Sequence, residues 1–349
     1  MQEAVQKAYA AKGMALEALK AEVPNLEQGE LPWKLVTHLH PDTDAMVCIW
    51  AATRFLVGTN EEVSYHFVRS GETLLPDEMA GFRVLHMDTG LGELDQHALD
   101  YTRTSSFELM CKKYGWLEDE ALRPILEMTI ATDNVEVVDP TSVHYVLKGL
   151  HYHFYDKETK ESDWGEVCGN AFLILDLLYG QWKQKVKARK DLTVHAGFNE
   201  LKGGVRFTTI LTRPQLRDAA YENGADVVMW THVLDWKKRD KDFMVGIQVN
   251  RMSTVTLECV MADIREAEAK KRNVSVEGKN LQAHGKDSAF GGWYLHGSKK
   301  LIVCGSRSNP LAEGEQTMLA PGEIVNIIRN RLVRVFIPDR HNAKRQARR

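Results

Sequence analysis

THLHPDTDA, residues 37–45, joins a short strand-like run to a long apolar segment. The run KLVTHLH (34–40) has the alternation of a β-strand, whereas AMVCIWAATRFLV (45–57) suits a helix packed on a sheet. Pro41 marks a turn between them. The stretch therefore predicts a strand, a turn and a helix, with its polar residues at the carboxyl end of the strand.

Two further strand-like runs, EVSYHFVR (62–69) and FRVLHM (82–87), follow at intervals that leave room for crossover helices. This alternation predicts an α/β fold with a doubly wound, mainly parallel sheet. Helical patterns dominate residues 105–187, and a second mixed region begins near residue 192. Its pattern predicts a smaller α/β C-terminal domain, with strands at 227–234 and 243–250 and helices at 213–223, 257–272 and 321–332.

The expected domain organisation follows these changes of pattern. A run of bases in KQKVKARK predicts a solvated connector, and the last ten residues carry five Lys or Arg and no acid. The predicted segments are an N-terminal helical extension (1–30), a metal-binding catalytic domain (31–182), a basic connector (183–191), a C-terminal substrate-binding domain (192–337) and a basic tail (338–349).

Composition favours a soluble globular protein. Of the 349 residues, 44% are hydrophobic and 27% charged, and the net charge of −3 gives no global sign of a polyanionic partner. No apolar run is long enough for a membrane span, so no membrane partner is expected. Widely spaced cysteines argue against a disulfide framework or zinc knuckle and predict reduced, buried thiols in a cytoplasmic protein; they are Cys48, Cys111, Cys168, Cys259 and Cys304.

Four metal-ligating side chains lie within seven residues of the opening stretch: His38, His40, Asp42 and Asp44. Open α/β sheets place their ligand sites at the carboxyl ends of strands. The imidazole and carboxylate groups of this stretch lie at such an end and are common metal ligands. A structural reading also exists, because Asp is a good helix cap and Pro a good first-turn residue. Capping needs only one aspartate, however, so the pattern favours a metal site.

Later acidic residues fit the same site. Asp88 follows the strand-like run 82–87, His97 lies close by in sequence, and Asp133 ends a helical stretch. Carboxylates held together repel and raise one another's pKa unless a cation neutralises them. Convergence of these side chains would therefore indicate a bound metal.

HLHPDTDA resembles the first motif of the DHH phosphoesterase superfamily, in which His, two residues, Pro-Asp, one residue and Asp-Ala or Asp-Ser occur in order. Asp88 resembles the aspartate of the second motif, Leu94-Asp95-Gln96-His97 resembles the Asp-His-His triplet, and Asp133 is similar to the aspartate of the fourth motif. The nearest branches are the nucleases related to melanocyte-proliferating-gene proteins and the RecJ-type and oligonucleotide phosphodiesterases.

This resemblance implies a centre of two Mn²⁺ or Mg²⁺ ions that activate a bridging water. His38, Asp42 and Asp88 would hold one ion, and Asp44, Asp88 and Asp133 the other. Asp88, His97 and Asp44 would be the catalytic residues. In the C-terminal domain, GGWYLHGS (291–298) resembles the family's substrate loop. Substrate binding would involve His296, Gly297, Ser298 and Arg307 of that domain, together with His97 of the catalytic domain.

One departure from the family bears on the second ion, because Gln96 stands where the family has a histidine ligand. An amide is a poor substitute for imidazole on a divalent ion. Three outcomes are open: His97 or His40 substitutes, the second ion binds only with substrate, or the chain is a degenerate relative that binds without catalysis.

The favoured function is hydrolysis of a phosphodiester in an oligonucleotide, a nucleic-acid end or a cyclic or dinucleotide, with single-stranded nucleic acid as a candidate partner. The alternatives are a catalytically degenerate nucleotide-binding or interaction protein, a pyrophosphatase-like phosphohydrolase, and a mononuclear hydrolase using His38, Asp42 and Asp88. The histidines at 144, 151 and 153 are read as ordinary buried or surface residues. The sequence leaves the oligomeric state open.

Overall fold

The computed structural model describes residues 31–58, 60–99, 102–136, 138–159, 161–201, 204–211, 213–233, 243–306 and 308–332. The N-terminal helical extension (1–30) and the basic tail (338–349) expected from the sequence lie outside the described residues. The chain divides into two compact units, Met1–Val186 and Lys187–Arg349.

The first unit contains a parallel sheet of three strands, in the order β2-β1-β3. Its strands are β1 (Trp33–His38), β2 (Val63–Val68) and β3 (Arg83–His86), and helix α1 (Thr43–Phe55) follows β1. These elements confirm the strand–turn–helix prediction. Because all three strands run in the same direction, their carboxyl ends meet at one edge of the sheet.

Helices form most of the remainder of the first unit. The side chains of Leu35, Trp50 and Phe107 are fully buried in its core, and the Trp50 indole donates a hydrogen bond to Asp176 Oδ1 at 2.8 Å. The basic run expected as a connector (183–191) lies inside the 32-residue helix Trp164–His195. The elements are α2 (Pro76–Met79), α3 (Ser106–Tyr114), α4 (Arg123–Asp133), α5 (Val143–His153), β4 (Tyr155–Asp156), β5 (Glu161–Ser162) and α6 (Trp164–His195).

The second unit is built on a mixed sheet in the order β10-β11-β12-β9-β8-β7-β6. Among its described pairs, β7 and β8 are parallel and the others antiparallel. The predicted α/β fold class is confirmed, and the larger sheet belongs to this unit. Its elements are β6 (Ala196–Glu200), β7 (Arg206–Ile210), α7 (Arg217–Glu222), β8 (Val227–Val233), β9 (Phe243–Val249), α8 (Glu258–Arg272), β10 (Gly285–Lys286), β11 (Trp293–Leu295), β12 (Leu301–Cys304) and α9 (Pro321–Leu332).

A buried carboxylate, that of Glu268 on α8, joins three segments of the second unit. Glu268 Oε1 accepts hydrogen bonds from Arg272 Nε at 2.9 Å and from the Met318 amide at 2.8 Å. Its Oε2 accepts from Trp293 Nε1 at 3.2 Å and from Thr317 Oγ1 at 2.8 Å. Four donors therefore satisfy a side chain that has no contact with solvent.

The five cysteines are all free thiols. The predicted burial is confirmed for four of them and is wrong for Cys259, which lies exposed near the start of α8. In the part of the chain that the structure describes, no helix combines the length and the apolar character needed to cross a membrane.

Candidate metal centre

The candidate site lies at the carboxyl edge of the parallel sheet. His38 is the last residue of β1, and Asp88 follows β3 by two residues. Asp42 is the N-cap of α1, where its Oδ1 accepts a hydrogen bond from the Ala45 amide at 3.0 Å. The parallel strands and the capped helix thus bring His38 and Asp42, which are four residues apart, together with Asp88, 50 positions from His38.

His38 and Asp88 form the closest pair of this site. His38 Nε2 lies 3.1 Å from Asp88 Oδ2, and His38 Nδ1 lies 2.8 Å from the Leu39 carbonyl oxygen. Burial opposes protonation of the ring, but the hydrogen bond and charge of Asp88 outweigh it and raise the pKa of His38 to about 9. Burial on its own would raise the pKa of the Asp88 carboxyl. The hydrogen bond to His38 and the charge of that ring outweigh burial and lower the pKa of Asp88.

One ligand atom each from His38, Asp42 and Asp88 lies within 4.8 Å of the other two. Asp42 is open to solvent at the rim, whereas Asp88 is buried. The protein atoms packed around Asp42 and the negative charge of Asp88 raise the pKa of Asp42. An imidazole and two carboxylates in this arrangement have the donor chemistry of a Mn²⁺ or Mg²⁺ site.

Two residues at this edge have left-handed backbone conformations, His40 with φ 53° and Asp88 with φ 54°. Such values are uncommon for residues other than glycine, although Asp and His adopt them more readily than most. The amide of Asp88 is held by a 2.9 Å hydrogen bond to the Leu94 carbonyl oxygen. The backbone is thus fixed in an unusual turn at the residue that pairs with His38.

A short 3₁₀ turn, Gln96–Ala98, follows the strand end. Asp95 caps it: Oδ1 accepts from the His97 amide at 3.0 Å and Oδ2 from the Leu91 amide at 2.8 Å. Asp88, Asp95 and His97 form a second group with ligand atoms within 4.8 Å. The His97 side chain is 60% exposed, and its Nε2 lies 3.9 Å from Asp88 Oδ1, so it can reach a molecule bound at this site.

Gln96 lies between two carboxylates. Its Nε2 is 2.9 Å from Asp88 Oδ1 and 3.2 Å from Asp133 Oδ1. Ser106 Oγ donates a hydrogen bond to Gln96 Oε1. Ser106 was not a candidate from the sequence; in the structure it is the first residue of α3.

Asp44 points to the amino end of α3. Its Oδ2 accepts from the Ser106 amide at 2.6 Å and its Oδ1 from the Phe107 amide at 3.2 Å. Burial and the nearby charge of Asp88 raise the pKa of Asp44 well above its usual range. Two backbone N–H groups at a positive helix end stabilise the ionised carboxylate in return.

Asp133 is the last residue of α4, where burial and the charge of Asp88 raise its pKa to about 6. Among the described residues, neither Asp44 nor Asp133 belongs to the two groups of convergent ligand atoms. The structure therefore brings together His38 and Asp42 with Asp88, and Asp95 and His97 with the same Asp88. Asp44 and Asp133 are close enough to Asp88 for its charge to raise the pKa of each.

The sequence indicated that His144 and His151 are ordinary buried or surface residues. In the structure, both form hydrogen bonds with the 37–45 turn. His144 Nδ1 lies 2.7 Å from Thr43 Oγ1, and His151 Nε2 lies 2.8 Å from the Pro41 carbonyl oxygen. The rings of His40 and Trp164 meet edge to face at 4.4 Å. No local sequence signal marks these contacts, because the partners come from helices more than a hundred positions away.

A cavity of about 460 Å³ opens beside the turn. Asp42 belongs to its wall, together with His40, Met46, Lys148, His151 and Tyr152. Asp42 is therefore shared by the cavity wall and the His38–Asp42–Asp88 group.

The candidate residues of the second unit lie in the connection between β11 and β12. His296, Gly297 and Ser298 are exposed there, and His296 Nδ1 lies 2.9 Å from Ser298 Oγ. Gly292, four residues before His296, is buried, and a Cβ added to it would lie 2.1 Å from Leu311 Cδ2 and 3.1 Å from the Glu315 carbonyl oxygen, so a larger residue there would have to displace the Leu311 side chain. Arg307, the remaining candidate for substrate binding, lies outside the described residues.

No known family profile matches the sequence, and no curated protein matches it. One solved structure that the chain resembles is described as a DHH domain of a member of the s1p family of ribosomal proteins. The two share 14% sequence identity over 96% of this chain and 97% of the other, with a TM-score of 0.28.

Proposed function

We propose that the chain is a metal-dependent phosphoesterase that hydrolyses a phosphodiester at the site of His38, Asp42 and Asp88. The observation that supports this most directly is the convergence of one imidazole and two carboxylate atoms within 4.8 Å at the carboxyl edge of the parallel sheet. The resemblance of HLHPDTDA to the first DHH motif supports the same chemistry.

The donor set fits Mn²⁺ or Mg²⁺. His38 Nδ1 is engaged by the Leu39 carbonyl oxygen, which fixes the orientation of the ring, and an ion bound at Nε2 would displace the proton and the hydrogen bond that this nitrogen shares with Asp88. A bound divalent ion supplies an activated water and stabilises negative charge that develops on phosphorus. Asp88 would bind the ion together with His38, because its buried carboxylate faces Nε2 of that ring.

The role of His97 follows from its exposure and from its position beside Asp88. The exposed ring can donate a hydrogen bond to a phosphate oxygen or a proton to the leaving oxygen. No side chain needs to form a covalent intermediate in such a reaction. The exposed His296, Gly297 and Ser298 of the second unit stay proposed substrate contacts, as does Arg307.

The cavity beside Asp42 supports a diester over pyrophosphate. Its wall includes Met46, Tyr152 and Tyr155 and has room for an organic substituent of the phosphate, such as a nucleoside. Inorganic pyrophosphate has no group that would use an apolar wall. We therefore propose a nucleotide diester as the substrate class, with a short oligonucleotide, a nucleic-acid end or a dinucleotide as its forms.

One observation favours a second candidate function, a nucleotide-binding protein without catalysis. Gln96 replaces a metal-ligating residue of the DHH pattern and is bonded to two carboxylates that the pattern assigns to metal. This second function predicts nucleotide binding in the presence of chelator and no turnover with any divalent ion.

The test combines elemental analysis of the purified chain with hydrolysis of bis-p-nitrophenyl phosphate, pyrophosphate, dinucleotides and short single-stranded RNA and DNA. Each substrate is incubated with Mn²⁺, with Mg²⁺ and with chelator. Bound metal and chelator-sensitive cleavage of a diester are expected. A metal-free, inactive chain that still binds a dinucleotide would overturn the proposal in favour of the second function.

A further inference from the structure

The amide of Gln96 takes up hydrogen-bonding capacity that the DHH pattern reserves for a second cation. Gln96 Nε2 lies within 3.2 Å of one oxygen each of Asp88 and Asp133. Ionised carboxylates only accept hydrogen bonds, so both contacts require the two N–H donors of the amide. The two carboxylates are thereby bridged by a neutral group.

The orientation of this amide is fixed from its other end. Ser106 Oγ donates to Gln96 Oε1, which places the carbonyl oxygen on the side of α3 and the nitrogen on the side of the aspartates. Gln96 is itself buried. To offer Oε1 to a cation, the side chain would have to rotate and give up its bonds to Asp88, Asp133 and Ser106.

Asp44, the remaining carboxylate of the second-ion pattern, also has other partners. Both of its oxygens accept backbone hydrogen bonds from the first residues of α3, Ser106 and Phe107. The helix end thus supplies partial positive charge where a cation would otherwise be needed.

Together these contacts leave the second position with N–H groups directed at the carboxylates from two sides. A cation entering between Asp88 and Asp133 would meet the positive end of the Gln96 amide dipole. The His38–Asp42–Asp88 group has no bridging amide, and its imidazole offers a lone pair at Nε2 once an ion displaces the proton shared with Asp88.

We propose that the Gln96 amide stands in for a second cation, and that the chain binds one divalent ion, at His38, Asp42 and Asp88. The inference rests on the proposed metal centre and adds the number of ions to it. It makes Asp133 and Gln96 positioning residues, which hold Asp88 in place from the side opposite His38.

The test measures Mn²⁺ stoichiometry by isothermal titration and by electron paramagnetic resonance on the full chain. Wild type is expected to bind about one ion, with the spectrum of an isolated Mn²⁺. Gln96→His removes the bridging N–H pair and adds an imidazole, so we expect about two ions and a spin-coupled spectrum. Gln181→His, at an exposed glutamine of α6, is the matched control and should stay at one ion.

The outcomes separate this inference from the proposed function. No Mn²⁺ binding by wild type would remove the metal centre and, with it, both proposals. About two ions in wild type would overturn the inference alone, as would a folded Gln96→His variant that keeps one ion. If Gln96→His does not fold by circular dichroism, Gln96→Glu tests the same point, because its carboxylate also replaces N–H donors with a ligand.

Discussion

Asp44 and Ser106, 62 positions apart in the chain, are joined by a 2.6 Å hydrogen bond from the Ser106 amide to Asp44 Oδ2. The bond connects the amino end of α1 to the amino end of α3, and the Phe107 amide donates to the second oxygen of the same carboxylate. A residue that the sequence pattern assigns to metal binding therefore also anchors a helix.

This relationship predicts that Asp44→Ala lowers the free energy of unfolding by about 1–3 kcal/mol, because two buried amides lose their acceptor. Urea unfolding with metal removed measures the loss, and Glu127→Ala, at an exposed position of α4, serves as the control. The variant should still bind Mn²⁺ at His38, Asp42 and Asp88. Unchanged stability together with the loss of a bound ion would show that Asp44 is a ligand and not an anchor.

Asp88 is expected to be the most sensitive position of the centre, since its carboxylate contacts both His38 and Gln96. Asp88→Ala should abolish Mn²⁺ binding and diester hydrolysis together. Calorimetric titration and the hydrolysis assay measure the two effects, with Asp77→Ala, at an exposed residue of α2, as control. Mn²⁺ stoichiometry equal to that of wild type would contradict the assignment of Asp88.

Local sequence was enough to predict β1, the 37–45 turn and α1, because strand alternation, Pro41 and an apolar helix run are all contiguous signals. The approach of Asp88 to His38 was also predictable, since parallel strands end at the same edge of a sheet. The strand-like runs at 227–234 and 243–250 correspond to β8 and β9, because a run of strand-forming residues is also a contiguous signal.

What the sequence did not reveal depends on contacts between distant segments. Nothing near Gln96 indicates that its amide would bridge Asp88 and Asp133, 8 and 37 positions away. The bond from His151 to the Pro41 carbonyl oxygen spans 110 positions. Such contacts depend on how helices pack against the sheet edge, and periodicity in one segment carries no information about them.

In the second unit, Glu268→Ala is expected to lower the free energy of unfolding by about 3–5 kcal/mol, because it leaves the partly buried Arg272 and three further donors without their acceptor. Urea unfolding followed by circular dichroism measures the change. Glu266→Ala is the matched control on the same helix: Glu266 contacts Lys270 at 3.0 Å on the surface, and its loss should stay within about 0.5 kcal/mol. Equal effects of the two variants would refute a special role for the buried carboxylate.

The stability of the fold should depend on pH through Glu61, which lies at the amino end of β1. The Gly58 amide and the Arg83 guanidinium hold the pKa of Glu61 at about 2, below its ordinary value of 4.5. A carboxyl with a lowered folded-state pKa stabilises the fold above its ordinary pKa, and the contribution disappears as the pH falls toward the folded-state value. Glu61→Gln should therefore lower the thermal midpoint more at about pH 6 than at about pH 2.5. Glu72→Gln is the exposed control, and an effect of Glu61→Gln that does not vary with pH would contradict the prediction.

The cavity beside Asp42 makes a prediction about substrate choice. Tyr152 borders the cavity and is 78% exposed, so its ring is free to stack on a nucleobase. Because stacking contributes about 1–3 kcal/mol per base, Tyr152→Ala should raise KM for a dinucleotide about 5- to 150-fold. It should leave hydrolysis of bis-p-nitrophenyl phosphate within about threefold of wild type, since that substrate has no base to stack. Tyr145→Ala, on the same helix and 45% exposed, is the matched control outside the cavity wall. Equal losses on both substrates would show that Tyr152 stabilises the site as a whole and does not stack on a base. No loss on either substrate would show that the substrate does not occupy the cavity.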